Sequence, residues 1–371
     1  MPGLVFESMV IGGGYATGRE LVEFFLSHGP LAGLLGLIAT LIVWGIVLSV
    51  TFEFARLTHS LDYRTFFGHL IGRGWILYEI LYYTTLVLVL SVIGAACSAI
   101  FHDAFGTPAW VGAAVLMLCV AFLVYFGNTL VERVLSAWGI ALYLLYGGMV
   151  IWCLTHYASV IRQNLMIAPT DSSWIAGGIA YAGYNLATAP AMLFCLRHVS
   201  QRRDAVIAGF AGGALAVLPG ILLYLSVIAF YPGIAHEAVP ALSVVAHIGS
   251  PVFSVIFQVA LFITLVKSGV GLLHALNERL ATEFSNRGSR MPQRIRPLAS
   301  LIILAFALFL ANRVGIVALV ARGYGTITYG FLAVYVLPVM TLGLWRIWRG
   351  TRPNAPPSPI SGGAPELRKQ G

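Results

Sequence analysis

The sequence predicts an all-α membrane protein in which about ten transmembrane helices form two inverted five-helix repeats, with helices 1 and 6 broken. Three observations carry this. Only 10% of the 371 residues are charged and 59% are hydrophobic, with a mean hydropathy of +0.87, whereas a soluble domain carries about a quarter charged residues. The apolar runs are each long enough, at about 20 residues, to cross a bilayer, unlike the short alternating segments of an outer-membrane barrel. Glycine-rich interruptions fall in the first and the sixth of these runs.

Charged and Pro/Gly-rich connections divide the chain into spans at about 4–27, 31–56, 75–101, 108–127, 134–157, 174–196, 204–231, 248–280, 297–312 and 323–346. Residues 313–322 fit a half-membrane or surface helix between the last two. The first span lacks a basic leader region and a small-residue cleavage site, and it carries Arg19, Glu20 and Glu23, so it reads as a retained helix and not a signal peptide. Residues 1–346 form a single transmembrane domain, with one repeat at about 4–157 and the other at about 174–346, and 352–371 read as a disordered cytoplasmic tail.

The basic residues test the span count. With the N-terminus cytoplasmic, 17 of the 22 lysines and arginines fall on the cytoplasmic side. Only Arg162, Arg313 and Arg322 fall opposite, while Arg19 and Lys267 lie within spans. This is the asymmetry of a bacterial inner-membrane protein with both termini in the cytoplasm. It accounts for the formal charge of +8 without a nucleic-acid partner. Cys97, Cys119, Cys153 and Cys195 form no C-x-x-C pair, so neither a disulfide framework nor a metal site is expected. Protease, hydrolase and P-loop signatures are absent as well, so no enzyme activity and no cofactor is predicted.

Span 1 reads Val10-Ile11-Gly12-Gly13-Gly14-Tyr15-Ala16-Thr17-Gly18-Arg19-Glu20. Each glycine costs a helix roughly 1 kcal/mol against alanine, and three in succession favour unwinding. Unwound backbone at membrane depth is tolerated only where it packs in protein or lines a wet cavity, and there its free N–H and C=O groups can hold a carboxylate or a cation. Close helix packing is the alternative use of such glycines. Span 6 offers a counterpart in Gly177-Gly178, Gly183-Tyr184-Asn185 and Pro190. Five spans separate the two, an odd number that inverts one half relative to the other. Paired interruptions in inverted halves point to a midplane solute site. Gly12, Gly13, Gly14, Tyr15, Thr17, Gly183, Tyr184 and Asn185 are therefore the candidate substrate-binding residues, with Tyr83 from the Tyr82-Tyr83-Thr84-Thr85 cluster of span 3 as a cap.

The run Gly12 to Glu20 followed by Phe24-Phe25 resembles the first-helix signature of the YkvI-like family of bacterial membrane proteins. That family is related to the amino acid–polyamine–cation superfamily. The resemblance implies the leucine-transporter fold, with spans 1 and 6 unwound around a substrate and spans 3 and 8 lining the cavity. In sodium-coupled members of that superfamily, span 8 hydroxyls and span 1 carbonyls hold the ion.

Ionisable residues within the membrane are functional candidates. Lys267, beside Ser268 in span 8, would place an ammonium where those relatives hold sodium. Burial favours the neutral form of an amine, so Lys267 also suits a proton-coupling role. Otherwise it snorkels or pairs structurally with a carboxylate, Glu20, Glu53 and Glu79 being the candidates. Arg19 and Glu20, adjacent on one helix, face different directions; they fit a gate or an interfacial structural pair. The expected function is a secondary active transporter of a small polar solute (an amino acid, amine or similar), proton-coupled or exchanging and not sodium-dependent. Its partners would be the solute and the lipid bilayer. A receptor or sensor on the same fold is the alternative, and a channel is weakened by the lack of a filter loop or acidic ring.

Overall fold

The computed structural model describes residues 2–126, 129–169, 171–286, 289, 291–292 and 295–350. The predicted tail, 352–371, lies outside them. The described residues are almost wholly helical and include no strand. Span 1 comprises α1 (Pro2–Val10), α2 (Gly13–Thr17) and α3 (Arg19–Phe24). There follow α4 (Pro30–Leu57), α5 (Tyr63–Ile71), α6 (Trp75–Phe105), α7 (Ala109–Phe126), α8 (Thr129–His156) and α9 (Ala158–Leu165). The second half contains α10 (Ser173–Asn185), α11 (Arg202–Ile228), α12 (Pro240–Ile248), α13 (Pro251–Asn286), α14 (Ile295–Val314) and α15 (Ile316–Arg349). Among the described residues seven helices are long and apolar enough to cross a membrane, or eight if a helix bent by 89° at Tyr157 counts as one span. The shorter apolar α7 and the interrupted span 1 bring the number to the predicted ten.

The inverted repeat is visible in the packing. Span 2 (α4) lies along span 7 (α11), α1 packs on α11, and α10 packs in the same way on α4. Likewise α6 packs on α14, and α13 on α7. Adding five to each span number converts the 1–7 pair into 6–2 and the 3–9 pair into 8–4. Small residues permit these approaches. A side chain at Gly209 would meet the Ser49 backbone nitrogen at 2.4 Å, and one at Gly213 would meet the Gly45 nitrogen at 3.2 Å, so this G-x-x-x-G pair packs spans 2 and 7 together.

The structure revises four elements. Gly13 and Gly14 are helical; span 1 is interrupted at Ile11–Gly12 and again at Gly18, whose φ of +79° suits glycine. Span 6 is helical through Asn185, then tightens to a 3-10 helix over Leu186–His198 and does not unwind. Gly177 and Gly178 serve close packing there, since added side chains would meet the Phe24 carbonyl at 2.3 Å and the Gly36 carbonyl at 2.6 Å. Residues 316–322 are neither a surface nor a half-membrane helix. Gly315 (φ +76°) turns the chain, and the first turns of α15 begin at Ile316. Residue 248 belongs to α12 and not to span 8, because Gly249 (φ +71°) ends that helix before Pro251 opens α13.

Candidate functional site

The interruption of span 1 leaves backbone groups without helical partners, and side chains of α8 and of span 1 itself take up two of its carbonyls, as a membrane interior requires. The Tyr146 hydroxyl of α8 donates to Ala16 O (2.8 Å), and Thr17 Oγ1 donates to Gly14 O (2.8 Å). Tyr15 reaches across to donate to Ala216 O of α11 (2.9 Å). Gly220 makes room for that ring, since a Cβ there would meet the Tyr15 oxygen at 2.6 Å. Span 6 has the same need. Pro190 has no N–H for the carbonyl three residues back in the 3-10 ladder, and the Tyr78 hydroxyl of α6 donates to that carbonyl, Ala187 O, at 2.8 Å.

Glu20 lies at the centre. It is only 4% exposed, and its carboxylate folds back onto the break, so that a Cβ on Gly14 would lie 2.0 Å from Glu20 Oε1. The Tyr184 hydroxyl of α10 donates to Glu20 Oε2. Tyr184 is itself stacked between Phe24 (5.8 Å, 27°) and Tyr324 of α15 (4.5 Å, 21°). Tyr181 meets Tyr184 edge-on at 5.6 Å, and its buried hydroxyl makes no hydrogen bond. Thus spans 1, 6 and 10 surround one carboxylate with four aromatic rings.

A second carboxylate was not singled out by the sequence reading. Glu7, the sole charge in α1, accepts a hydrogen bond from the Tyr143 hydroxyl of α8 and lies within electrostatic reach of Lys267 on α13. Its sequence signal was a lone acid in an apolar run five residues before Gly12. The three carboxylates considered for Lys267 are occupied elsewhere. Glu20 accepts from Tyr184, Glu53 forms a bidentate pair with Arg56 (2.8 Å to each oxygen), and Glu79 lies 3.5 Å from Arg64. Ser268 Oγ returns to its own helix at Thr264 O (3.0 Å).

Charge layers flank the two carboxylates. Toward the end of span 1 away from the N-terminus, Arg19 pairs with Glu23 (2.7 Å) and donates to Ala235 O (2.9 Å) and Glu237 O (3.0 Å) of the loop preceding α12. At the opposite end, Arg64 on α5 bridges Glu79 on α6 and Glu283 on α13 (2.5 Å). Arg279 lies beneath it, its guanidinium 3.6 Å from the Tyr82 ring centroid and 4.1 Å from that of Tyr63.

Of the residues expected at the substrate site, Gly12, Gly13, Gly14, Tyr15 and Thr17 do meet at the break, and Tyr184 joins them. Gly183 sits behind, where a Cβ would meet Thr328 at 2.9 Å, and Asn185 Nδ2 caps Tyr181 O (3.0 Å). Tyr83 is not part of this cluster. Its hydroxyl donates to Glu79 (3.4 Å). The buried face of α6 carries Tyr78, Tyr82 and Leu86, spaced by four, and Tyr83 is rotated about 100° from it. Arg19 and Glu20 face apart, as expected.

No family model matches the chain. Over 245 residues it is 22% identical to an uncharacterized membrane protein, YkvI, of Bacillus subtilis (strain 168), covering 59% of this chain and 67% of that protein. Its fold is similar to that of MhsT in complex with L-phenylalanine, with a TM-score of 0.61 at 15% identity over 94% of this chain and 97% of that one. A manganese transporter of Eremococcus coleocola gives a TM-score of 0.60 at 15% identity over 94% and 82%. Inward-facing Mhp1 gives 0.50 at 12% over 95% and 94%. These likenesses are to transporters of the leucine-transporter fold, and they establish the fold of this chain.

Proposed function

We propose that the protein is a secondary transporter working by alternating access, with a small polar solute held where the break of span 1 faces span 6. The observation that carries this reading is a buried site with incompletely satisfied polar groups, Glu20 and the Tyr181 hydroxyl, lying between two charge layers. Alternating access requires one site and two closures. Arg19 with Glu23 and the 235–237 loop supplies one closure, and Arg64 with Glu79 and Glu283 supplies the other. The fold supports this reading, since its solved neighbours include proteins described as a manganese transporter and as MhsT bound to L-phenylalanine.

Lys267, Glu7 and Tyr143 form the coupling site in this reading. A lysine of the chain already supplies the positive charge that faces α1, so proton coupling or exchange fits better than sodium coupling. The excess of basic residues at one end orients the chain with both termini in the cytoplasm of a bacterial inner membrane. Uptake into proteoliposomes tests the function. Solute flux without sodium supports the reading, and a strict sodium requirement that survives Lys267→Ala unchanged would reject it. A solute that binds without ever being carried would instead identify a receptor.

A further inference from the structure

The chemistry around Glu20 restricts what the site can take. A carboxylate inside a membrane is costly unless its charge is matched. Among the described residues Glu20 belongs to no ion pair. Its neighbour Arg19 is committed to Glu23 and two loop carbonyls. Tyr184 supplies Glu20 with one hydrogen bond, whereas an ionised carboxylate has about four lone-pair sites. Around it pack the rings of Phe24, Tyr181, Tyr184 and Tyr324, and aromatic π-systems favour a cation over an anion.

We propose that this is a recognition site for an organic ammonium cation without a carboxylate of its own, with Glu20 as the counter-charge and Phe24, Tyr181, Tyr184 and Tyr324 as the aromatic walls. The proposal rests on the transporter reading only in taking this to be the solute site. Three other solute classes fit less well. An anion would face Glu20 directly. An amino acid zwitterion would bring a second carboxylate to a site whose neighbouring guanidinium, Arg19, already spends both terminal nitrogens on Glu23 and two loop carbonyls. A hard divalent ion such as Mg2+ or Ca2+ needs about six oxygen ligands, and no group of three or more His, Cys, Asp or Glu side chains that could hold a metal ion exists among the described residues. An alkylammonium head fits these groups: the carboxylate matches the charge, the buried Tyr181 hydroxyl can accept an N–H, and the surrounding rings offer apolar contact to the carbon substituents.

The test compares cations with neutral molecules of the same shape on the purified, detergent-solubilised full-length protein. Choline is set against 3,3-dimethylbutan-1-ol, and n-butylammonium against 1-butanol, with thermal stabilisation and calorimetric binding as readouts. Stabilisation by one or both cations and not by their isosteres is expected. Glu20→Gln should weaken that binding by about tenfold or more, as for a buried charged hydrogen bond, and Glu20→Asp should recover part of it. Equal binding of a cation and its isostere overturns the proposal, as does binding confined to amino acids, anions or metal ions, or no binding of either cation at millimolar concentration. The wild-type comparison decides the question even if the variants fail to fold. A cation that binds but never enters proteoliposomes leaves this site standing and removes the transport reading. Flux of neutral or anionic solutes alone does the reverse.

Discussion

Span 1 carries two carboxylates, one on either side of its break, and the protein treats them oppositely. Glu7 accepts from a tyrosine and has a lysine of the chain within electrostatic reach. Glu20 accepts from a tyrosine too, but it has aromatic faces where Glu7 has Lys267. Desolvation costs both of them. In one case the compensating charge is covalently present, and in the other it must come from outside. In the proposed reading this difference divides the labour, Glu20 holding the solute and Glu7 with Lys267 setting the energetics of the conformational cycle.

The sharpest way to break this comparison is Gly14→Ala, because its new methyl group would overlap the Glu20 carboxylate. Alanine favours helix by roughly 1 kcal/mol over glycine, so the protein should still fold. Solute affinity, measured by calorimetry, should fall by about a hundredfold, matching the ~3 kcal/mol upper range for a charged hydrogen bond. Normal binding in this variant would mean that the carboxylate does not act where the structure places it.

Lys267→Ala should act on the other side of the comparison. Equilibrium binding should stay within about threefold of wild type, while the response of uptake to a pH gradient is lost. Glu7→Gln combined with Lys267→Ala should cost less thermal stability than the two single changes added together, with a coupling energy of about 1 kcal/mol. Strict additivity would show that the two groups do not sense each other.

Tyr143→Phe removes only the donor to Glu7 and should cost about 1 kcal/mol of stability, read as a lower thermal midpoint with the solute site intact. The smallest effect belongs to Glu23→Gln. Its carboxylate is 28% exposed, and exposed pairs contribute about 0.2–1 kcal/mol. Opening rates measured by solute release should rise, with binding unchanged.

The succession of spans and the interruption of span 1 were legible because composition, glycine and charge asymmetry are one-dimensional signals. The different directions taken by Arg19 and Glu20 were legible as well, since adjacent residues on a helix diverge by about 100°. What stayed hidden depended on rotation about helix axes. α6 carries Glu79, Thr84 and Thr85 on different sides, so no single polar stripe shows which of Tyr78, Tyr82 or Tyr83 is turned inward. Tyr324 entered the cage because residues 316–322 begin the last span, a continuity that Arg322 and Gly323 disguise in the sequence. Span 6 shows how Gly177-Gly178 can mislead, since tight packing and unwinding call for the same residue. Glu7 could have been found by its chemistry alone, as an acid within an apolar segment.

The division of labour between the two carboxylates is tested most directly by measuring two modes of flux in the same proteoliposomes, using whichever alkylammonium binds. One mode is accumulation driven by an imposed pH gradient, and the other is exchange of labelled for unlabelled solute at equilibrium. Glu20→Gln should abolish both, while Lys267→Ala should abolish accumulation and retain exchange. Loss of both modes in Lys267→Ala, or retention of both in Glu20→Gln, would contradict it.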